Sequence, residues 1–413
     1  MFLLFNFEIM KLHLPLSLRS ALFVAVAALS SYPFAQAEEV SISSDTLYQY
    51  GSTVFFRGSA SYVGVGNTPT YTLTFEGTND DVNSDTLAFA LVGDELSFSN
   101  IKTLEFKHHR FKDTWYEWGG GVLGGSGSNY NLWGGSVINA AEADSIREEA
   151  NSPQACVINI SGNGNVLFQD NASYSSGGAV AMKNSVLDIH NNSSITFEEN
   201  VAHGSGGAIN ALNSGVHFKN NDSVVFESNT ANNNGSGGAL NVEGGPSYTS
   251  EAPLLFEGNK SIVFSSNIAS WGGAIHVGGG SSTRHLFQNN VGDDSTKASI
   301  LFKGNQAYYR GGAIYAEGNL SFLNNGLIEF IDNENSEYGG GAVLTSSNCH
   351  LIFDGNNGLR FTGNKIAKGS GGSIYCARSK SISITNTKGT VLFEKNEAAT
   401  TNSEGGLGGA ICS

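Results

Sequence analysis

The chain is short of the residues that mark several protein classes. Only 6 of its 413 residues are proline and 14% are charged, which argues against a proline-rich linker and against a solvated disordered polymer. With 22 basic against 37 acidic side chains and a net charge of −15, it has no Lys/Arg run able to hold a phosphate backbone or an anionic lipid surface, so no nucleic acid is expected as a partner. Its four cysteines, Cys156, Cys349, Cys376 and Cys412, fit no zinc spacing and are too few to staple a chain this long. No stretch beyond the N-terminus sustains a helical period, and the one apolar run there falls short of the ~20 residues a membrane span needs.

Catalytic motifs are equally scarce. There is no Gly-x-Ser-x-Gly elbow, no phosphate loop and no His-Glu-x-x-His, and the nine histidines are scattered. Gly119-Gly120-Gly121-Val122-Leu123-Gly124 matches the dinucleotide fingerprint only formally, since no helix follows to receive a pyrophosphate. The acidic pairs Asp80-Asp81 and Asp293-Asp294 are far apart and read as solvated loops. No catalytic residue, cofactor or metal site is nominated.

Glycine (53) and phenylalanine (25) are abundant, and both recur at fixed intervals. Pairs of glycines followed by Ala or Ser and then an aliphatic residue begin at Gly177, Gly206, Gly237, Gly272, Gly311, Gly340, Gly371 and Gly408, with an outlier at Gly134. Between them stands Phe-x-x-Asn, starting at Phe168, Phe197, Phe226, Phe264, Phe302, Phe330, Phe361 and Phe393, and also at Phe218, Phe256, Phe287, Phe322 and Phe353. A period of 29 to 39 residues, read from the glycine starts, with short apolar runs ending in Asn/Gly turns, predicts about three strands per repeat. Chained, these repeats make an all-β, right-handed parallel β-helix, a three-stranded triangular solenoid with coils about 4.8 Å apart. Phe is expected to stack inside, Asn to sit at the turn in a left-handed conformation and bond to the Asn above and below, and Gly-Gly to form the corner. Longer repeats must loop out residues, most clearly at 244–252 and 278–284.

Residues 1–37 read as a secretory signal peptide: Lys11 and Arg19 supply charge, 21–29 an apolar core, and Ala35-Gln36-Ala37 a cleavage site after Ala37. Residues 38–150 are expected to form an irregular β-rich cap or first coils, and 151–413 the regular β-helix. Within the cap, Arg110, Trp115, Tyr116 and Trp118 gather aromatics and positive charge on an acidic chain, as a plug for the helix end or a partner contact. Cys349 and Cys376, 27 residues apart, would fall on adjacent coils and could be bridged.

Gly-Gly-Ala-Ile and Phe-x-x-Asn repeated together behind a signal peptide resemble the chlamydial polymorphic outer membrane proteins, over about Phe168 to the C-terminus. The resemblance implies an autotransporter passenger, displayed at the cell surface or outer membrane, with roles in adhesion to a host-cell surface receptor, antigenic variation and envelope structure. The array here runs to Ser413 without the amphipathic strands of a barrel, so the expectation is a truncated or split member, secreted if the barrel is absent. The rival expectations are a carbohydrate-active β-helix enzyme, which requires carboxylates within about 10 Å in a cleft, and a structural envelope component linked to other envelope proteins through its cysteines.

Overall fold

The computed structural model describes residues 38–50, 60–77, 89–92, 95–111, 138–141, 156–245, 251–294, 296–346, 348–377, 381–399 and 408–413. The signal segment with Ala37, Gly134, Asp80-Asp81, 119–124 and the aromatics Trp115, Tyr116 and Trp118 lie outside them. Among the described residues all regular structure is β, and the strands form three parallel sheets of 19, 11 and 11 members.

One turn shows the plan. Ser194–Glu198 lies in the second sheet, Val201–Ala202 in the third, and Ile209–Leu212 and Gly215–Lys219 both lie in the first. Ser223–Glu227 then pairs in register on Ser194–Glu198, with Phe226 over Phe197. A turn therefore holds four strands rather than about three. The first sheet takes two of them because the chain bends inside it, at Asn213, whose φ is 48°. That bend has no Gly-Gly to announce it, so the repeat spelling conceals it. The same sheets continue below residue 150: Val157–Ser161 pairs with Glu95–Ser99, and Asn165–Gln169 with Thr103–Lys107.

Burial alternates along each strand, as a half-buried sheet requires. Ser194–Glu198 reads intermediate, buried, intermediate, buried, intermediate, putting Ile195 and Phe197 inside. Stacked turns make this a column: Phe75, Phe106, Phe168, Phe197, Phe226, Phe264, Phe302, Phe330, Phe361 and Phe393 lie face to face, centroids 4.5–5.1 Å apart and planes within 12°. A second column in the first sheet runs Phe218, Phe256, Phe287, Phe322 and Phe353 at 4.7–4.9 Å, with Ile160 and Ile189 holding its earlier slots. The two columns meet edge to face, centroids 5.6–6.4 Å apart. Each buried Phe stabilises by roughly 1.5–3 kcal/mol relative to exposure, and each ring pair adds about 0.5–1.5 kcal/mol.

The asparagines form two ladders. Asn229 is representative: its Nδ2 donates to the Phe197 carbonyl at 2.9 Å and to Asn267 Oδ1 at 3.0 Å, while its own Oδ1 accepts from the Asn200 backbone N–H and side-chain amide at 3.1 and 2.9 Å. The same contacts link Asn171 through Asn396, and on the other corner Asn163 through Asn356. From Asn171 to Asn364, and from Asn163 to Asn325 on the other corner, these amides are buried and bonded on both sides.

One expectation is corrected here. The ladder Asn is not the left-handed residue; the residue before it is, as at Asp170 (φ 48°), Glu199 (56°), Ser228 (56°) and Asn220 (54°). Turning the chain one position earlier leaves the Asn side chain pointing inward, where it reaches the next amide.

The two glycines of each pair do different work. The first is left-handed in all eight repeats, φ 61° to 72°. The second lies under the next turn: a Cβ on Gly207 would stand 2.0 Å from the Gly238 carbonyl oxygen. Only a missing Cβ allows that approach.

Candidate functional site

Among the described residues, a group of aromatic and charged side chains gathers on the surface of the turns around residues 241–375. Trp271 and Arg310 occupy the slot directly ahead of a Gly-Gly pair, where Ser176, Ser205, Ser236 and Ser370 stand in other turns. That slot ends the third-sheet segment and faces outward, so its occupants need not fit the core. Trp271 stacks on Tyr309 at 5.6 Å, Tyr308 meets Tyr309 at right angles at 4.6 Å, and Tyr309 lies 5.9 Å from Tyr338. The Arg310 guanidinium carbon lies 5.3 Å from the Tyr315 ring centre and 5.8 Å from that of Tyr338. Tyr308 and Tyr338 remain 53% and 60% exposed. Gly339 makes room for the neighbouring turn, since a Cβ there would come 2.1 Å from the Tyr375 ring.

This aromatic edge joins a polar chain on the outer face of the first sheet. Arg310 donates to the Tyr315 hydroxyl at 2.7 Å, which donates to Glu317 at 2.5 Å. Glu317 lies 3.4 Å from His276 Nε2, and His276 Nδ1 meets Asn241 Oδ1 at 2.6 Å and Glu243 at 3.9 Å. The hydrogen bond from His276, with those from Tyr315 and the nearby cationic groups, holds the Glu317 carboxyl down at about 2 against the cost of burial. Burial, then the bond to Glu317, pushes the Tyr315 hydroxyl up to about 12. Glu243 and Glu317 flank one imidazole, which meets the spacing asked of a carbohydrate-active enzyme. Glu317, held ionised, and the Tyr315 phenol, held neutral, are poor acid–base catalysts near neutrality.

Two buried histidines, unforeseen in the sequence, tie down the two excursions. His217 Nε2 bonds the Ala252 carbonyl at 3.0 Å, with Glu251 3.1 Å from Nδ1. His285 Nε2 bonds the Gly278 carbonyl at 2.9 Å, closing 278–284. Burial lowers both, His285 to about 4. Their signal was faint: a His beside a repeat Phe, next to a length anomaly.

Of the residues expected to touch a partner, Arg110 is described, and it is engaged with Asp170 at 2.7 Å. Asp293 and Asp294 are exposed and sit against Lys260 (3.3 Å) and Lys297 (3.8 Å). Cys349 and Cys376 are buried; Cys376 Sγ lies 3.1 Å from the Thr345 hydroxyl, its partner in register one turn below. No group of His, Cys, Asp and Glu able to hold a metal occurs among the described residues.

The Chlamydia polymorphic membrane protein repeat model matches residues 194–212, 253–278 and 299–317. Among curated proteins, the chain is 33% identical over 150 residues to a probable outer membrane protein, pmp19, of Chlamydia pneumoniae, covering 34% of this chain and 15% of that one. It is 29% identical over 164 residues to the probable outer membrane protein PmpG of Chlamydia muridarum (39% and 14%), and 30% identical over 142 residues to PmpH of Chlamydia trachomatis (28% and 13%). The matched segment thus spans about a seventh of these relatives' length. No solved structure matches.

Proposed function

We propose that this chain, which carries the Chlamydia polymorphic membrane protein repeat and is similar to probable outer membrane proteins of that group, is a non-enzymatic adhesin-like passenger displayed at the outer membrane and cell surface. Its work is to hold a contact surface on a stiff solenoid and engage a host-cell receptor. The observation that carries this reading is the exposed cluster of Trp271, Tyr308, Tyr309, Arg310 and Tyr338, the residue types that supply most binding energy at interfaces. The solenoid suits the task because stacked Phe and Asn columns fix the cluster before binding, which cuts the ordering cost.

Saturable binding of purified protein to epithelial cells, weakened at least about fivefold by Tyr338→Ala, is the expected result. No saturable binding to any host cell type would remove the adhesin role. Hydrolysis or eliminative cleavage of a polysaccharide panel, lost on Glu317→Gln, would replace it with the enzymatic reading.

A further inference from the structure

The rings of this cluster follow one edge of the solenoid, between the third sheet and the glycine corners. Trp271, Tyr309 and Tyr338 belong to three successive turns, so they recur along the axis at about the ~4.8 Å rise of a turn. Exposed amide and hydroxyl groups, among them Asn233, share the edge. From this geometry we propose that the edge is a binding site for a neutral oligosaccharide lying along the solenoid axis, a ligand class that rests on the adhesin reading and sharpens it.

The chemistry follows from the surface. Trp271 and Tyr309 stack on each other, which leaves the exposed rings of Tyr308 and Tyr338, electron-rich on their faces, to attract the weakly positive C–H faces of sugar rings, while amides and hydroxyls satisfy the sugar's own hydroxyls. A narrow row of rings suits a narrow polymer; a stable protein interface needs about 800 Å² on each partner. Charge selects the neutral class. Arg310 is already committed to Tyr315 and through it to Glu317, Lys368 beside Tyr338 lies 3.5 Å from Glu337, and the chain carries −15 overall, so a sulfated or carboxylated glycan is repelled.

The test is a glycan array probed with the full chain, carrying poly-N-acetyllactosamine and high-mannose chains beside heparin and sialylated chains. Binding to a neutral set, insensitive to salt between 0.05 and 0.5 M and weakened about tenfold or more by Tyr338→Ala and by Tyr308→Ala, is expected. Both side chains are more than half exposed, so the variants should keep the parent melting temperature, which is checked in parallel. Capture by heparin alone, binding untouched by both variants, or no binding to any glycan overturns the proposal. Cell adhesion that survives deglycosylation of the cells but is lost on protease treatment also overturns it, and leaves the adhesin reading standing. Array binding without cell binding does the reverse.

Discussion

At the residue scale the fold depends on side chains that each satisfy one demand. Asn229 accounts for four hydrogen bonds across three turns, and none of its partners has water as an alternative. Asn229→Ala would leave the Phe197 carbonyl and the Asn200 amide buried and short of a partner, at a cost of about 2–4 kcal/mol, whereas Asn232→Ala, at an exposed position with an ordinary backbone, should cost under about 0.5 kcal/mol. Urea melts of the two variants check this; equal midpoints would mean the ladder is ornamental. The glycine pair can be dissected the same way. Gly206→Ala meets a left-handed backbone (φ 67°), costing about 1–2 kcal/mol, and its Cβ would also stand 2.2 Å from the Ile209 carbonyl oxygen, while Gly207→Ala drives a methyl carbon to 2.0 Å from the Gly238 carbonyl oxygen of the next turn. Both substitutions should lower the melting temperature, Gly206→Ala at least as much because it adds backbone strain to a clash of similar closeness, and an unchanged melting temperature for either would contradict the assignment.

At the scale of strands and loops, columns and clamps decide stability. Phe226→Ala removes a fully buried ring stacked on both sides and should cost about 3–5 kcal/mol; Phe393→Ala, at a half-buried end of the column, should cost less. The clamp on 278–284 has a pH signature. His285 binds its proton in the unfolded chain near its ordinary value of 6.5 but in the folded chain only at about 4, so the stability it lends is present above 6.5 and is lost as pH falls toward 4. The groups near it are the Gly278 carbonyl and His276, and His276 opposes its protonation. His285→Gln should keep the Gly278 contact and flatten the fall in melting temperature between pH 6.5 and 4; an unchanged slope would assign the fall to other groups. His217, lowered by burial, contributes with the same sign.

Much at this level was legible in the sequence because one residue type returns to one slot: the Phe-x-x-Asn and Gly-Gly spellings gave the stacking, the corners and the period. What escaped had a substitute in the slot or no period. Ile160 and Ile189 occupy the second aromatic column as phenylalanine does later, so its lower half carried no motif. His109 stands three residues after Phe106 in place of Asn, and its Nε2 reaches the Phe75 carbonyl at 3.2 Å, the contact an Asn amide makes elsewhere. The bend that splits the first sheet falls at spellings as different as Asn184-Ser185, Asn213-Ser214 and Gly244-Gly245, too variable to count. The aromatic edge is visible in the sequence only as an exception, Trp271 and Arg310 where serine is usual, whereas residues 110–118 gather aromatics and positive charge in one run.

At the scale of the whole solenoid, the account makes turns interchangeable in the core and individual on the outside. One continuous apolar cluster runs from Ile42 to Cys376, so the turns should unfold together rather than as separate domains, with excursions and edges varying freely around them. Backbone hydrogen exchange followed by mass spectrometry over residues 157–394 tests this most directly. Uniformly slow exchange is predicted in the Phe-x-x-Asn segments from Phe168 to Phe361, with faster exchange confined to the half-buried end at Phe393 and to stretches such as 278–284. Rapid exchange in the Phe and Asn segments of some turns from Phe168 to Phe361, while others stay protected, would contradict the claim that the stacked columns bind the turns into one body.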